Sequence, residues 1–155
     1  MSFMQVSRKV DYALRATIHL ANDEHRDRAC SVAEIAERER IPRQFLEKII
    51  RDLIRGRLVR SRRGPHGGYV LARPAEEVTF KDVIEAVEGP ISLNVCVGEH
   101  AECFLLGACG MNRVWVEGQR RVMDLFQSTT IASVRHPRTG SSGPISPEYP
   151  AMEQV

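Results

Sequence analysis

The sequence predicts a mainly α chain with a small β-hairpin wing: a winged helix-turn-helix domain followed by a long C-terminal dimerisation helix. Three observations lead there. Two short amphipathic segments, residues 31–40 and 42–56, meet at Ile41-Pro42, and a residue before proline disfavours helix. The second segment is basic on its polar face. A glycine-punctuated hairpin with arginines at its tip follows directly, over residues 58–71.

Composition sets the frame. With 155 residues, 43% hydrophobic and 27% charged, the chain is long enough for one cored domain with appendages. Neither an apolar run of membrane-spanning length nor a secretory segment is seen, so a cytoplasmic protein with no membrane partner is expected. The net charge of +2 says little, but its distribution says more. Residues 31–63 hold ten bases against five acids, whereas residues 64–106 hold two bases against seven acids. One face meeting a polyanion would carry that asymmetry, although a solvated helical face would too.

The elements follow in order. Residues 6–21 place Val6, Val10, Leu14, Ile18 and Ala21 at helical spacing, which predicts an amphipathic helix. Ser31 with Glu34 three residues on is a capping-box pattern, and Val32, Ile35 and Ala36 form a short apolar stripe behind it. Pro42 suits the first turn of the next helix, and Gly56 suits its end. That helix is expected to bury Phe45, Leu46, Ile49, Ile50 and Leu53 and to expose Arg43, Gln44, Glu47, Lys48, Arg51 and Arg55. Such a helix can enter a major groove while its predecessor crosses the backbone. In the hairpin, Leu58–Ser61 and Tyr69–Leu71 read as strands. Arg62 and Arg63 make the tip basic, and Gly64, Gly67 and Gly68 let backbone approach a partner. An arginine on such a tip can enter a narrow minor groove. Thr79 with Asp82 caps a further helix, with Val83, Ile84 and Val87 inward, and Gly89-Pro90 ends it.

Cys96, Cys103 and Cys109 then fall within fourteen residues, among Gly98, Gly107 and Gly110. A glycine-rich loop gathering thiols can wrap a metal or an iron–sulfur cluster. Residues 111–128 form a last amphipathic stripe through Met111, Val114 or Trp115, Val122, Leu125 and Phe126, expected to pack on a second subunit or back on its own domain. Cys30 stands apart as a buried or half-buried structural thiol. The five histidines are scattered with no nucleophile or paired-carboxylate pattern, which argues against an enzyme. The domain organisation is therefore read as 1–90 for DNA binding, 91–110 for the cysteine loop, 111–132 for dimerisation and 133–155 as a proline-rich disordered tail.

Taken together, DYALRA, SVAEIAERERIPRQFLEKI, LVRSRRGPHGGYVLARP and the triple cysteine resemble the bacterial winged-helix, iron–sulfur-cluster-binding transcriptional regulators that include IscR, NsrR and RirA. The resemblance covers residues 1 to about 130. It implies homodimers on a palindromic operator of double-stranded DNA, with a 2Fe–2S or 4Fe–4S cluster held by Cys96, Cys103 and Cys109. It further implies that Arg63 reaches the minor groove and that Arg43, Gln44 and Glu47 touch base edges. Lys48, Arg51, Arg62 and Gly64 complete the expected DNA-binding set, and no catalytic residue is implied. The sequence departs from the family pattern twice. The first cysteine gap is six residues rather than five, and Asn112 stands where some relatives carry a histidine ligand. Asp11 from the partner subunit, Glu99 and His100 are the candidates for a fourth ligand. A zinc site completed by His100 and a cluster-free thiol switch stay open beside the cluster.

Overall fold

The computed structural model describes residues 6–22, 25, 28–98, 103 and 108–135. The described elements run α1 (Arg8–Ala21), α2 (Val32–Glu39), α3 (Arg43–Arg55), β1 (Val59–Arg62), β2 (Gly68–Leu71), a 3-10 turn (Ala75–Glu77), α4 (Phe80–Glu88), α5 (Asn112–Ser128) and a second 3-10 turn (Ile131–Val134). This is the expected winged-helix class.

Local chemistry explains the boundaries. The Ser7 hydroxyl accepts from Val10 N–H and starts α1 two residues later than the apolar pattern suggests. The Ser31 hydroxyl accepts from Glu34 N–H at 3.1 Å, but the Glu34 carboxylate turns to Arg28, so only half of the expected capping box forms. Arg40 closes α2 in the left-handed conformation, φ 51°, and Pro42 is the N-cap of α3. At Thr79 both halves of the box are made, with Thr79 N–H donating to Asp82 at 3.0 Å and Asp82 N–H donating to the Thr79 hydroxyl at 3.1 Å. The wing is an antiparallel pair in the register Val59↔Leu71, Arg60↔Val70, Ser61↔Tyr69 and Arg62↔Gly68.

The core is built by α1, α3 and α4, with α2, the wing root and the last turn closing it. Ile35, Leu46, Ile49, Ile50, Leu53, Leu58, Val59, Val78 and Val83 are fully buried. Together they supply most of the apolar burial that outweighs chain entropy.

Three expectations need correcting. The inward face of α1 centres on Val10, Ala13, Ala16, Thr17 and Leu20, while Leu14 and Ile18 are half-buried and Val6 is exposed. Small alanines let α1 approach its neighbours closely, which displaces the larger residues to the edge. Phe45 is 59% exposed. It sits in the first turn of α3, where it lines an apolar pocket with Lys9, Tyr12 and Pro42 rather than entering the core. The segment after α5 also reaches further into the fold than expected. Ile131 is fully buried, its N–H donates to Val78 C=O at 2.7 Å, and Thr130 bridges to Thr79. Ser133 and Val134 belong to that turn; the rest of the expected tail, 136–155, lies outside the described residues.

Helix α5 touches its own domain along one side. The Phe126 ring lies 6.2 Å from that of Phe80. The Gln119 amide donates to Ile91 C=O at 2.7 Å and accepts from Leu93 N–H at 2.9 Å. Even so, no residue of α5 is buried, and Val114, Val116 and Leu125 are 71%, 50% and 60% exposed. Among the described residues, no helix is long and apolar enough to cross a membrane.

Candidate functional site

The α3 helix divides cleanly. Leu46, Ile49, Ile50 and Leu53 face the core, and Arg43, Gln44, Glu47, Lys48 and Arg51 fall on the opposite, exposed side. Arg43 Nε lies 3.1 Å from Glu47 Oε1, an exposed i,i+4 pair that holds the guanidinium along the helix. Asp52, at the edge of the buried side, takes Lys9 at 2.9 Å and Arg55 at 3.2 Å and ties α3 to α1. The helix is thus a rigid platform for an exposed cationic and amide surface.

The wing tip is built by glycine. Arg62, Arg63 and Gly64 are exposed, and Gly64 has φ 122°. The Gly67 N–H donates to Gly64 C=O at 2.9 Å, and a Cβ at Gly67 would sit 2.5 Å from Arg62 C=O. The turn is therefore tight enough to present Arg62 and Arg63 at its apex. At the wing root, Cys30 and Tyr69 pair through their backbones, so the hairpin is tied to the segment that leads into α2.

The cysteine loop joins α4 to α5. Cys96, Cys103 and Cys109 are half-buried free thiols. The loop is pinned at its start by Gln119 and at its end by the bond from Asn112 N–H to Cys109 C=O, 3.2 Å. Glu99 and His100 lie outside the described residues. Asp11 is exposed on the first turn of α1, 3.3 Å from Arg15. Three thiols suit an iron–sulfur cluster in their chemistry. Among the described residues, however, the side chains that converge closely enough to share one ion are elsewhere: His19, His25, Cys30 and Glu34. Sequence reasoning set these histidines aside as scattered and Cys30 as structural. Cys30 is indeed fully buried. The signal that was available is the order His, His, Cys, Glu within sixteen residues around the α1–α2 connection.

The electrostatics of Glu34 belong to this group. Hydrogen bonding from Arg28 holds its carboxyl below the ordinary carboxylate range, and the Arg28 charge adds to the effect.

Comparison with known proteins matches this architecture. An HTH-type transcriptional regulator of Aquifex aeolicus (strain VF5) is 35% identical over 130 residues, 83% of this chain and 89% of its own. The HTH-type transcriptional regulator CymR of Bacillus subtilis (strain 168) is 33% identical over 128 residues, 83% of this chain and 87% of its own. The solved structure of that CymR, the global cysteine regulator of B. subtilis, superposes with TM-score 0.70 at 28% identity, covering 86% of this chain and 97% of CymR. IscR of T. potens superposes with TM-score 0.68 at 28% identity, covering 84% and 85%. These relatives are regulators rather than enzymes, and HTH-type regulators act by binding DNA. Residues 6–137 match the family described as Rrf2, iron-dependent transcriptional regulator, so the chain belongs to the Rrf2 family of DNA-binding transcriptional regulators.

Proposed function

We propose that two copies of this chain form a cytoplasmic homodimer on a palindromic operator, and that an iron–sulfur cluster held by Cys96, Cys103 and Cys109 controls the binding. The observation that carries this reading is the position of three free, half-buried thiols between α4 and α5, the helix whose apolar side is uncovered. Likeness to IscR supports it.

In this reading α3 of each subunit enters the major groove, with Arg43, Gln44 and Glu47 at base edges. Lys48, Arg51 and Arg62 meet phosphates, and Gly64 lets the turn lie close while Arg63 enters the minor groove. Exposed Val114 and Leu125, eleven residues apart on one line of α5, fit a second copy. Asp11 of the partner subunit is the oxygen donor proposed for the fourth position. When bound, the cluster supplies iron that responds to redox state, nitric oxide or iron supply. The chain's own part is to pass the state of the loop to α5 and so to the spacing of the two winged domains.

The second reading is a cluster-free regulator, switched by thiol oxidation or stabilised by zinc. Likeness to CymR, a cysteine regulator, favours its thiol form, as does the solved oxidised form of CymR from Staphylococcus aureus. One preparation separates the two. Anaerobically purified full-length protein is expected to be coloured, to contain iron and sulfide, and to lose its visible spectrum in Cys103→Ala with unchanged far-UV dichroism. Colourless, iron-free protein that binds DNA with full affinity would sink the cluster.

A further inference from the structure

We infer that the chain holds a second metal site, outside the cysteine loop, in which His19, His25 and Cys30 bind a divalent transition metal of the zinc class and Glu34 occupies the fourth position. One ligand atom from each of the four residues lies within 4.8 Å of all the others. Tetrahedral zinc with bonds of about 2.0–2.3 Å holds its ligands roughly 3.3–3.8 Å apart. Closing the group on an ion therefore asks for side-chain movements of only about 1 Å. Two imidazoles, one thiol and one carboxylate are a donor set that suits zinc better than calcium or magnesium.

The placement of His19 argues for a ligand rather than a satisfied core residue. Its side chain is 4% exposed, and its Nδ1 lies 2.9 Å from Glu39 Oε1. A neutral imidazole donating Nδ1–H to that carboxylate keeps a lone pair on Nε2, and Nε2 is buried with no hydrogen-bond partner among the described residues. A carboxylate behind a histidine is the outer shell that orients metal-bound imidazole and raises its basicity. The His25 ring stacks on that of His19, with centroids 4.5 Å apart and planes 21° apart. Cys30 is fully buried between them and the wing. Glu34 is the outermost member, with its side chain 23% exposed and paired with Arg28. Three buried ligands plus an outer carboxylate that arginine can claim make a site with one exchangeable position, reached from the Glu34 side.

The location gives the metal something to act on. His19 lies in the last turn of α1, Glu34 in the first turn of α2, and Cys30 hydrogen-bonds the wing at Tyr69 through its backbone. A bound ion would link the scaffold helix, the first helix of the helix-turn-helix and the wing root through one centre. It would therefore stiffen the parts that face DNA, independently of the loop.

The test uses the full-length chain carrying Cys96→Ala, Cys103→Ala and Cys109→Ala, which leaves Cys30 as its single thiol. Cobalt(II) is the probe. The expected result is one cobalt per chain, with thiolate-to-cobalt charge transfer in the near ultraviolet and tetrahedral d–d bands. One equivalent of zinc(II) should abolish both, and zinc should raise the melting temperature. His25→Ala in the same background should weaken cobalt binding by at least about 10-fold, the loss that removing even an outer-shell partner of a ligand brings. Absence of the charge-transfer band, or an unchanged affinity in His25→Ala, overturns the site. If the triple variant fails to fold, zinc content decides: Cys30→Ala in the otherwise unaltered chain should carry one zinc fewer than wild type, and equal contents overturn the proposal.

Discussion

Cys30 and Tyr69 exchange two backbone hydrogen bonds: Cys30 N–H donates to Tyr69 C=O at 3.0 Å, and Tyr69 N–H donates to Cys30 C=O at 2.8 Å. This one pairing makes the wing a third strand's worth of structure rather than a free hairpin. It also requires glycine next door, because Gly68 has φ 152° and a Cβ there would sit 2.5 Å from the Cys30 carbonyl oxygen.

Gly68→Ala should therefore lower stability by at least about 1–3 kcal/mol, from the unfavourable backbone region alone. The clash is with backbone, which cannot step aside as a side chain would. Urea unfolding reads the change directly. A midpoint within error of wild type would show that the Cys30–Tyr69 pairing does not constrain the wing.

Arg63 and Arg51 should behave differently on DNA. Arg63→Ala, at the exposed wing tip, is expected to cost about 1–3 kcal/mol and to relax sequence preference where the wing lies. Arg51→Ala should weaken binding evenly across sequences and reduce the slope of log K against log salt by about 1. Fluorescence anisotropy over a salt series, on operator variants, separates the two. Equal effects on every sequence from both variants would remove Arg63 from the specificity set.

Leu125 is 60% exposed on α5, the helix that packs against α4. On the proposed homodimer, Leu125→Asp should convert dimer to monomer while leaving far-UV dichroism unchanged. By two-fold symmetry the loss counts twice, at roughly 1.5–3 kcal/mol per buried leucine. Sedimentation equilibrium reads the association directly. An unaltered mass for the variant would move the interface off this face of α5.

Glu117 predicts a pH dependence for α5. Hydrogen bonds from Arg120 and Arg121 pull its carboxyl down from 4.5 to about 2. A depressed carboxyl stabilises the fold above its ordinary value, and that contribution is lost as the pH falls from about 4.5 through about 2. Helical signal in this window should thus fall less in Glu117→Gln than in wild type. The group is exposed, so the difference should be small and should vanish in about 1 M salt, where screening reaches within about 3 Å. A salt-insensitive difference would point to some other group.

What the sequence by itself determined was mostly local. Ser31, Pro42 and Thr79 mark boundaries because capping and a missing N–H act within a few residues of where they are written, and Gly56 closes α3 at φ −73°. The basic face of α3 and the arginine-tipped wing were legible for the same reason, since helix and strand periods assign a side to every residue. The tertiary structure decided what depends on distant parts of the chain. Phe45 has the composition of a core residue, but its neighbour Leu46 takes the core position and Phe45 lines a surface pocket with Lys9, Tyr12 and Pro42, so it is exposed. Ile131 follows a surface helix yet fills the centre, because the chain turns back to Val78 and Thr79. Above all, His19, His25, Cys30 and Glu34 read as unrelated residues until α1, the connection after it and α2 close on one another. Spacing in sequence lists candidate ligands. Only packing, which sets distances between elements that share no local period, selects the ones that meet.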